Sequence, residues 1–267
     1  MESKPKITIV ISYYKALENL KLIFNALGKQ SFKKFEVIVS EDDNNPETVG
    51  YISEKKQHYP FPIQHLYQKE DLGFRKNMML NLSIKASNSD FLVFIDGDCV
   101  PHKHFAKQYA IKAEKGYILW GRRVMLSEKK TLQVLQNKSL SGLDLFALVN
   151  SDSEKIKDAI YSPILSLSLK EKGLKGCNWG IYKEHLVAVN GFDEDYMRAG
   201  VGEDDDIEWR LKENGLQKKS MKNKAIVYHL YHKRSYTDEG VRKNNKLLEH
   251  KKKANRIKCL NGLDRLN

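Results

Sequence analysis

The stretch FLVFIDGDCV, residues 91–100, sets the reading of the whole chain. Five apolar or aromatic residues run into two aspartates separated by one glycine. Such a run reads as a buried strand, and a strand interior is a costly place for carboxylates. Asp96 and Asp98 therefore belong at the strand's end, where Gly97 lets the chain turn and a ligand approach the backbone. Two carboxylates at this spacing can share one hard cation, Mg2+ or Mn2+, whose shell substrate phosphates complete. The competing reading is a plain turn, in which Asp and Gly are common.

Working outward, residues 6–14 (KITIVISYY) are rich in β-branched residues and read as a first strand. Leu17, Leu20, Ile23, Phe24 and Leu27 recur at helical spacing, and Gly28 stops them. Residues 35–40 (FEVIVS) make a second strand, ending in the turn cluster 41–46; a polar helix is expected over 47–58 and a weaker strand over 62–67. Met78, Met79, Leu82 and Ala86 mark another helix before the opening stretch, which is then strand four. A helix from Pro101 to Lys115 and a fifth strand over 117–125 (YILWGRRVM) follow. Alternating strands and helices with short joins predict a doubly wound, mostly parallel α/β sheet. Ligands in such sheets bind beyond the carboxyl ends of the strands. Ser12, Tyr14, Glu41, Asp42, Asp71, Arg75, Asp96 and Asp98 all fall on that edge.

Residues 126–175 carry only modest apolar patterns, at 143–149 and 160–169, and read as an excursion or loop over the site. Structure is expected to resume over 176–192 and 202–215, with a last strand over 224–231.

The chain has 267 residues, 41% hydrophobic and 10% aromatic, which suits one folded domain with at most an appendage. No apolar stretch approaches the roughly 18 residues of a membrane span. Residues 1–6 are polar and lead straight into a strand, so no secretory signal is read. Cys99, Cys177 and Cys259 are odd in number and widely spaced, implying neither a disulfide framework nor a zinc site. A reducing cytoplasm is the expected setting. Of the net charge of +12, residues 241–267 contribute nine Lys/Arg against two acids. This basic segment can hold phosphates, nucleic acid or an anionic membrane face, or be a solvated helix or frayed tail. No nucleic-acid module is recognisable, so nucleic acid is not expected as a partner.

Three further groups carry chemistry. Arg75 and Lys76 begin a helix, where a diphosphate can be held by side chains and the helix N-terminus; basic residues there run against the usual dipole preference. In GVGEDDDIEWRLKENG (200–215), Ile207 and Leu211 mark a helix with Glu203–Asp206 in its first turn. Four acids exceed what capping needs, and their crowding raises pKa values, as a general base requires. In AIVYHLYH (225–232), His229 and His232 sit at a strand end, as metal ligands or as packed surface residues.

Together these residues resemble family 2 glycosyltransferases of the GT-A fold, which are nucleotide-sugar-dependent and inverting. The likeness covers roughly residues 6–232. It is nearest to members whose second half resembles the galactosyltransferase C-terminal region, as in β-1,4-galactosyltransferases and bacterial chondroitin-type polymerases. It rests on GFRKNMMLNLSI (73–84) with FLVFIDGDCVP (91–101), and on KGCNWGIYKEHLVAVNGFDEDY (175–196) with GEDDDIEWRL (202–211). The resemblance implies that residues 1–125 bind the donor, that 126–240 carry the acceptor side and the base, and that 241–267 form a basic tail. It further implies that Ser12 and Tyr14 contact the nucleotide, Asp42 the uracil ring, and Arg75 the diphosphate, with Asp71 on the same donor side. Asp96 and Asp98 match the Asp-x-Asp motif, Asp98 touching Mn2+ or Mg2+ directly. His229 matches the late histidine ligand, with His232 as its substitute. Asp204 matches the catalytic base and Glu203 its acceptor-binding neighbour, Asp205 standing beside them. Trp179 is either a stacking surface for the acceptor sugar or a core residue.

Two stretches depart from the pattern. Glu41-Asp42-Asp43-Asn44 stands where many relatives read Asp-Asp-Gly-Ser, and Ala199-Gly200-Val201-Gly202 where galactosyltransferases have Trp-Gly-Gly. The expected activity is transfer of a hexose or N-acetylhexosamine from a UDP-sugar to a glycan or lipid-linked acceptor. The expected setting is surface-polysaccharide or lipopolysaccharide synthesis, with the protein cytoplasmic or peripheral on the inner membrane face. Two alternatives stand beside it. One is a haloacid-dehalogenase-like phosphatase with Asp96 as nucleophile, Asp98 as acid and Asp204–Asp206 as metal acids. The other is a nucleotide- or glycan-binding protein without catalysis.

Overall fold

The computed structural model describes residues 4–164, 171–200, 202–234 and 236–266. Strand β1 (Ile7–Tyr13) is buried along nearly its whole length. Helix α1 (Leu17–Gly28) lays Leu20, Ile23, Phe24 and Leu27 onto the sheet, following their 3.6-residue spacing. Strand β2 (Phe35–Glu41) leads into α2 (Pro46–Lys55), which starts where Asn45 accepts from the N–H groups of Glu47 and Thr48 and Pro46 fills the first turn. Strand β3 (Ile63–Tyr67), helix α3 (Lys76–Ala86) and strand β4 (Phe91–Asp96) complete four parallel strands in the order β3-β2-β1-β4. Their carboxyl ends coincide: Tyr13 pairs with Glu41, Glu41 with Tyr67, and Ser12 with Asp96.

The opening stretch is not one strand. Gly97 donates its N–H to the Ser12 carbonyl at 2.6 Å, the chain turns, and Cys99–Pro101 forms β5 in a different sheet. Alternation in β4 explains its apolar sequence. Phe91, Val93 and Ile95 face one core with α1, while Leu92 and Phe94 face a second core on the other side. Each such side chain contributes about 1.5–3 kcal/mol on burial.

Helix α4 (Phe105–Lys112) joins the first core. The expected fifth strand is then split at Gly121 into β6 (Tyr117–Trp120) and β7 (Arg122–Met125). A Cβ at Gly121 would collide with the Asn178 side chain. Asn178 instead crosses there, donating to the carbonyls of Arg122 (2.7 Å) and Ala225 (2.9 Å) and accepting from the Tyr109 hydroxyl (2.7 Å). It rivets the two sheets where they part.

The expected excursion over 126–175 holds α5 (Glu128–Gln136), capped by Ser127, and α6 (Leu145–Val149), capped by Asp144. Its apolar pattern over 160–169 runs into residues 165–170, which lie outside the described residues. Strand β8 (Trp179–Tyr182) pairs antiparallel with both β4 and β6; α7 (Lys183–Ala188), α8 (Glu203–Glu213) and β9 (Gln217–Ser220) follow. Residues of α3, α7 and α8 close the second core with Ile84, Leu186, Ile207 and Leu211. The large sheet thus runs β3-β2-β1-β4-β8-β6-β9, covered by helices on both faces. Strand β10 (Ile226–His229) lies between β5 and β7 in a three-stranded sheet.

Residues 241–266, within the stretch expected as a basic tail, are part of the fold. Helix α9 (Asp238–Lys253) begins at the Thr237 cap and buries Asn244, Leu248 and Lys251. The Lys251 ammonium is held by the carboxylates of Asp193 and Asp195. Beyond α9, Cys259 is buried and the Asn261 carbonyl accepts from Glu194 N–H at 2.9 Å. The charge pattern shows exposed cations but not the two polar positions, Asn244 and Lys251, that help dock the helix. No described helix is long and apolar enough to cross a membrane.

Candidate active site

Where β4 and β5 part, the chain turns through Asp98, and β10 brings two histidines to it. His229 pairs with Cys99 in the small sheet, and Leu230 N–H donates to the Asp98 carbonyl at 2.8 Å. This register puts His229 Nε2 3.3 Å and His232 Nε2 3.1 Å from Asp98 Oδ2. The three residues offer ligand atoms within 4.8 Å of one another. One carboxylate and two imidazoles form a donor set that suits a divalent transition ion. Among the described residues His229 Nδ1 is buried without a hydrogen-bond partner, which leaves that ring's orientation to be fixed through Nε2. The residues present fit a metal. Burial opposes the Asp98 charge, but the two histidines outweigh it and hold the carboxyl well below the ordinary range. The same contact pushes His232 up to about 9.

These groups line a cavity of about 430 Å³. Asp96 and Glu203 face it from opposite elements, bridged by the Lys76 ammonium at 3.5 and 3.9 Å. Burial disfavours the Lys76 charge, but Asp96, Asp204 and Glu203 outweigh it and keep the ammonium protonated. Burial raises Asp96 and pushes Glu203 up to about 7, with Asp204 adding to both. Crowding of the acids was the expected cause; burial is the larger one. Asp204 reaches the cavity from the first turn of α8, its Oδ2 accepting from Gly176 N–H at 2.8 Å.

The expected donor residues form a second cluster along the same sheet edge. Tyr14 is exposed beside β1, with the Lys15 ammonium 4.7 Å from its ring centre. Lys15 also pairs with Asp71 at 3.0 Å, and that contact lowers the Asp71 pKa. Asp42 is buried, its carboxylate accepting from Arg75 N–H at 2.9 and 3.1 Å and from Gln68 at 3.0 Å. It therefore staples the 68–75 loop to β2. Arg75 turns its guanidinium to the Phe74 carbonyl (3.0 Å), and Lys76, its neighbour, takes the place in the cavity. Ser12, Tyr14, Asp42, Asp71 and Arg75 are not among the residues lining the cavity.

Trp179 requires correction. It is 1% exposed and stacks on Phe94 at 4.6 Å, so it is a core residue and cannot receive a sugar. Asp205 is not among the residues lining the cavity. Asp206 is closed off in a buried ion pair with Arg210 Nε at 2.7 Å, which removes it as a metal acid for the phosphatase alternative. The first turn of α8 thus divides its acids: Glu203 and Asp204 to the cavity, Asp206 to the core.

Sequence reasoning missed Arg123, Lys175, Arg234 and Tyr236, all of which line the cavity. A signal existed for Arg123, since two arginines interrupt the apolar run YILWGRRVM. Arg123 donates towards the Cys177 sulfur at 3.6 Å. Tyr236 packs against Gly200, where the expected tryptophan motif is absent; Val201 of that stretch lies outside the described residues.

Comparison with known proteins agrees with this geometry. The family described as glycosyl transferase family 2 matches residues 8–171, and that described as the N-terminal domain of galactosyltransferase matches residues 161–233. Glycosyltransferase AglE of Haloferax volcanii is 26% identical over 106 residues, 39% of this chain and 34% of that protein. TarS of S. aureus superposes with a TM-score of 0.62 at 16% identity, over 92% of this chain and 39% of that one. The mannosyltransferase PcManGT from Pyrobaculum calidifontis, solved with GDP-Man and Mn2+, gives 0.62 at 16% identity over 96% and 65%. GalNAc-T7, solved with UDP, GalNAc and Mn2+, gives 0.63 at 12% identity over 94% and 48%. The chain spans about a third of the curated relative and less than two thirds of each of these structures. The structural likenesses are those of a shared GT-A fold.

Proposed function

Because the chain belongs to glycosyl transferase family 2, we propose that it moves a sugar from a nucleotide-sugar donor to an acceptor hydroxyl in one inverting displacement. The observation that carries this reading is the meeting of the Asp98–His229–His232 cluster and the Asp204 carboxylate in one cavity. Asp204 takes the proton from the acceptor oxygen as that oxygen bonds to the anomeric carbon. The bond from that carbon to the diphosphate breaks on the opposite side. Gly176 N–H holds one Asp204 oxygen, leaving the other for the acceptor. Lys76 keeps Asp96 and Glu203 from repelling the incoming diphosphate. Asp98, His229 and His232 would hold Mn2+ or Mg2+, which when bound supplies positive charge against the departing diphosphate. Two imidazoles favour Mn2+ over Mg2+.

A UDP-hexose or UDP-N-acetylhexosamine is the donor we favour. TarS, a relative in fold, has been solved with UDP and with UDP-GlcNAc. A glycan or lipid-linked acceptor and a role in surface-polysaccharide synthesis belong to the same reading. The exposed cations of α9 support contact with an anionic membrane face.

The test is a thermal-shift screen of UDP-, GDP- and dTDP-sugars with and without Mn2+, followed by Asp204→Asn. We expect Mn2+-dependent stabilisation by one nucleotide class, and a loss of about 10²–10⁴ in transfer rate for Asp204→Asn with donor binding retained. Normal transfer by Asp204→Asn would sink the assignment.

A further inference from the structure

Asp204 is not alone on α8 in holding the chain that precedes β8. One helical turn on, Glu208 Oε2 accepts the N–H of Leu174, as Asp204 Oδ2 accepts that of Gly176 at 2.8 Å. Side chains four apart share a helix face, so two N–H groups two residues apart meet two acids one turn apart. The same stretch is held from its other side. Lys218 of β9 donates to the Lys172 carbonyl at 2.5 Å and to Glu208 Oε1 at 2.5 Å. Both terminal nitrogens of Arg122 donate to the Gly173 carbonyl at 3.2 Å. Leu174 itself is buried in the second core, the one that Ile207 and Leu211 of α8 also enter.

The Glu208–Lys218 pair is a costly device for joining α8 to β9. The Lys218 side chain is 1% exposed and that of Glu208 13%, and a pair so placed seldom stabilises a fold more than apolar residues of equal volume do. Apolar residues would join the two elements as well, but they would offer no oxygen to the Leu174 N–H. What the pair supplies is an acceptor of fixed orientation. Its effect is felt two residues on, at the N–H that holds Asp204. We propose that Glu208 is a positioning residue for Asp204. By holding Leu174 it sets where the Gly176 N–H meets the Asp204 carboxylate, and so which oxygen stays free for an acceptor hydroxyl; Lys218 orients Glu208. The catalytic consequence rests on the glycosyltransferase reading, whereas the coupling of Glu208 to Gly176 does not.

Two double variants of the full chain isolate the acceptor oxygen. The first is Glu208→Gln with Lys218→Met, the second Glu208→Met with Lys218→Met. Both remove both charges at nearly constant volume, and only the first keeps an oxygen for Leu174. Amide hydrogen exchange is read by NMR at Leu174 and Gly176 relative to β1, so that a change in global stability cancels. We expect both amides to exchange about tenfold faster in the second variant than in the first, as loss of one hydrogen bond allows. With the donor found by the thermal-shift screen, kcat should be about tenfold lower in the second, through a displaced base, while UDP affinity in Mn2+ is equal in the two. Adding Gly176→Ala to each should erase the kcat difference, because Asp204 has then already been displaced. Equal exchange at Gly176 or equal kcat in the two double variants would overturn the proposal, as would a kcat difference that survives Gly176→Ala. Normal transfer by Asp204→Asn would count against the catalytic reading instead, and the exchange rates would still decide the coupling.

Discussion

Gly176 donates its backbone N–H to the Asp204 carboxylate at 2.8 Å, and a Cβ at position 176 would stand 2.6 Å from the other oxygen. No side chain fits between them. Gly176→Ala should therefore push Asp204 out of place without removing its charge. We expect kcat to fall by about 10²-fold, the cost of a misplaced catalytic group, with nucleotide affinity nearly unchanged. Steady-state kinetics with a saturating donor checks this.

The neighbouring acid behaves differently. Asp206 and Arg210 form a buried pair, and Arg210 also donates to the carbonyls of Val189 and Gly191 at 2.9 and 2.8 Å. Arg210→Met leaves Asp206 buried without a counter-charge and should cost about 3–5 kcal/mol. Urea denaturation should register that loss, whereas Asp204→Asn should leave the midpoint close to that of the unaltered chain.

Asp42 gives a pH dependence of definite sign. Burial pushes its carboxyl up to about 7 in the folded chain, while the unfolded chain titrates in the ordinary carboxylate range near 4. Between those values the folded state binds the extra proton. The contribution to stability is therefore full below about pH 4 and is lost as pH rises through about 7. Asp42→Asn should flatten this part of the profile, as melting temperatures taken from pH 4 to 8 would reveal.

Helix α9 separates a structural from an interfacial role. Lys251 is buried with Asp193 and Asp195, so removing residues 241–267 should destabilise the whole domain. Reversing exposed charges, as in Lys246→Glu with Lys253→Glu, should leave the fold intact. It should weaken binding to phosphatidylglycerol vesicles by about thirtyfold or more, since each of the two basic residues contributes about 1 kcal/mol. Co-sedimentation with anionic and neutral vesicles distinguishes this outcome from no effect.

The parallel strands were legible because both faces of the sheet are covered, which makes each strand a continuous apolar run. Asp96 and Asp98 stood out for the same reason, as charges at the end of such a run. The change of sheet at Gly97 and the split at Gly121 were not legible, because they depend on the Ser12 carbonyl and on Asn178, distant in sequence. Trp179 was ambiguous by type: an indole serves a core or a sugar equally well, and only the Phe94 stack decides. Lys76 and Arg75 are adjacent, so charge alone could not tell which enters the cavity; the turn of α3 does. The docking of 241–266 was hidden because Asn244, Lys251 and Cys259 share it with only a few widely spaced apolar residues, Leu248, Ile257 and Leu263, which mark no continuous apolar face.

The small sheet also fixes an order in time. Its central strand, residues 226–229, lies far along a chain of 267 residues, yet the turn it pairs with is complete by residue 101. On the ribosome strands β1–β4 can assemble long before His229 and His232 emerge. A nascent or prematurely terminated chain thus has the Asp98 turn but no imidazoles to join it. The Asp98–His229–His232 cluster can form only after residue 232 has emerged.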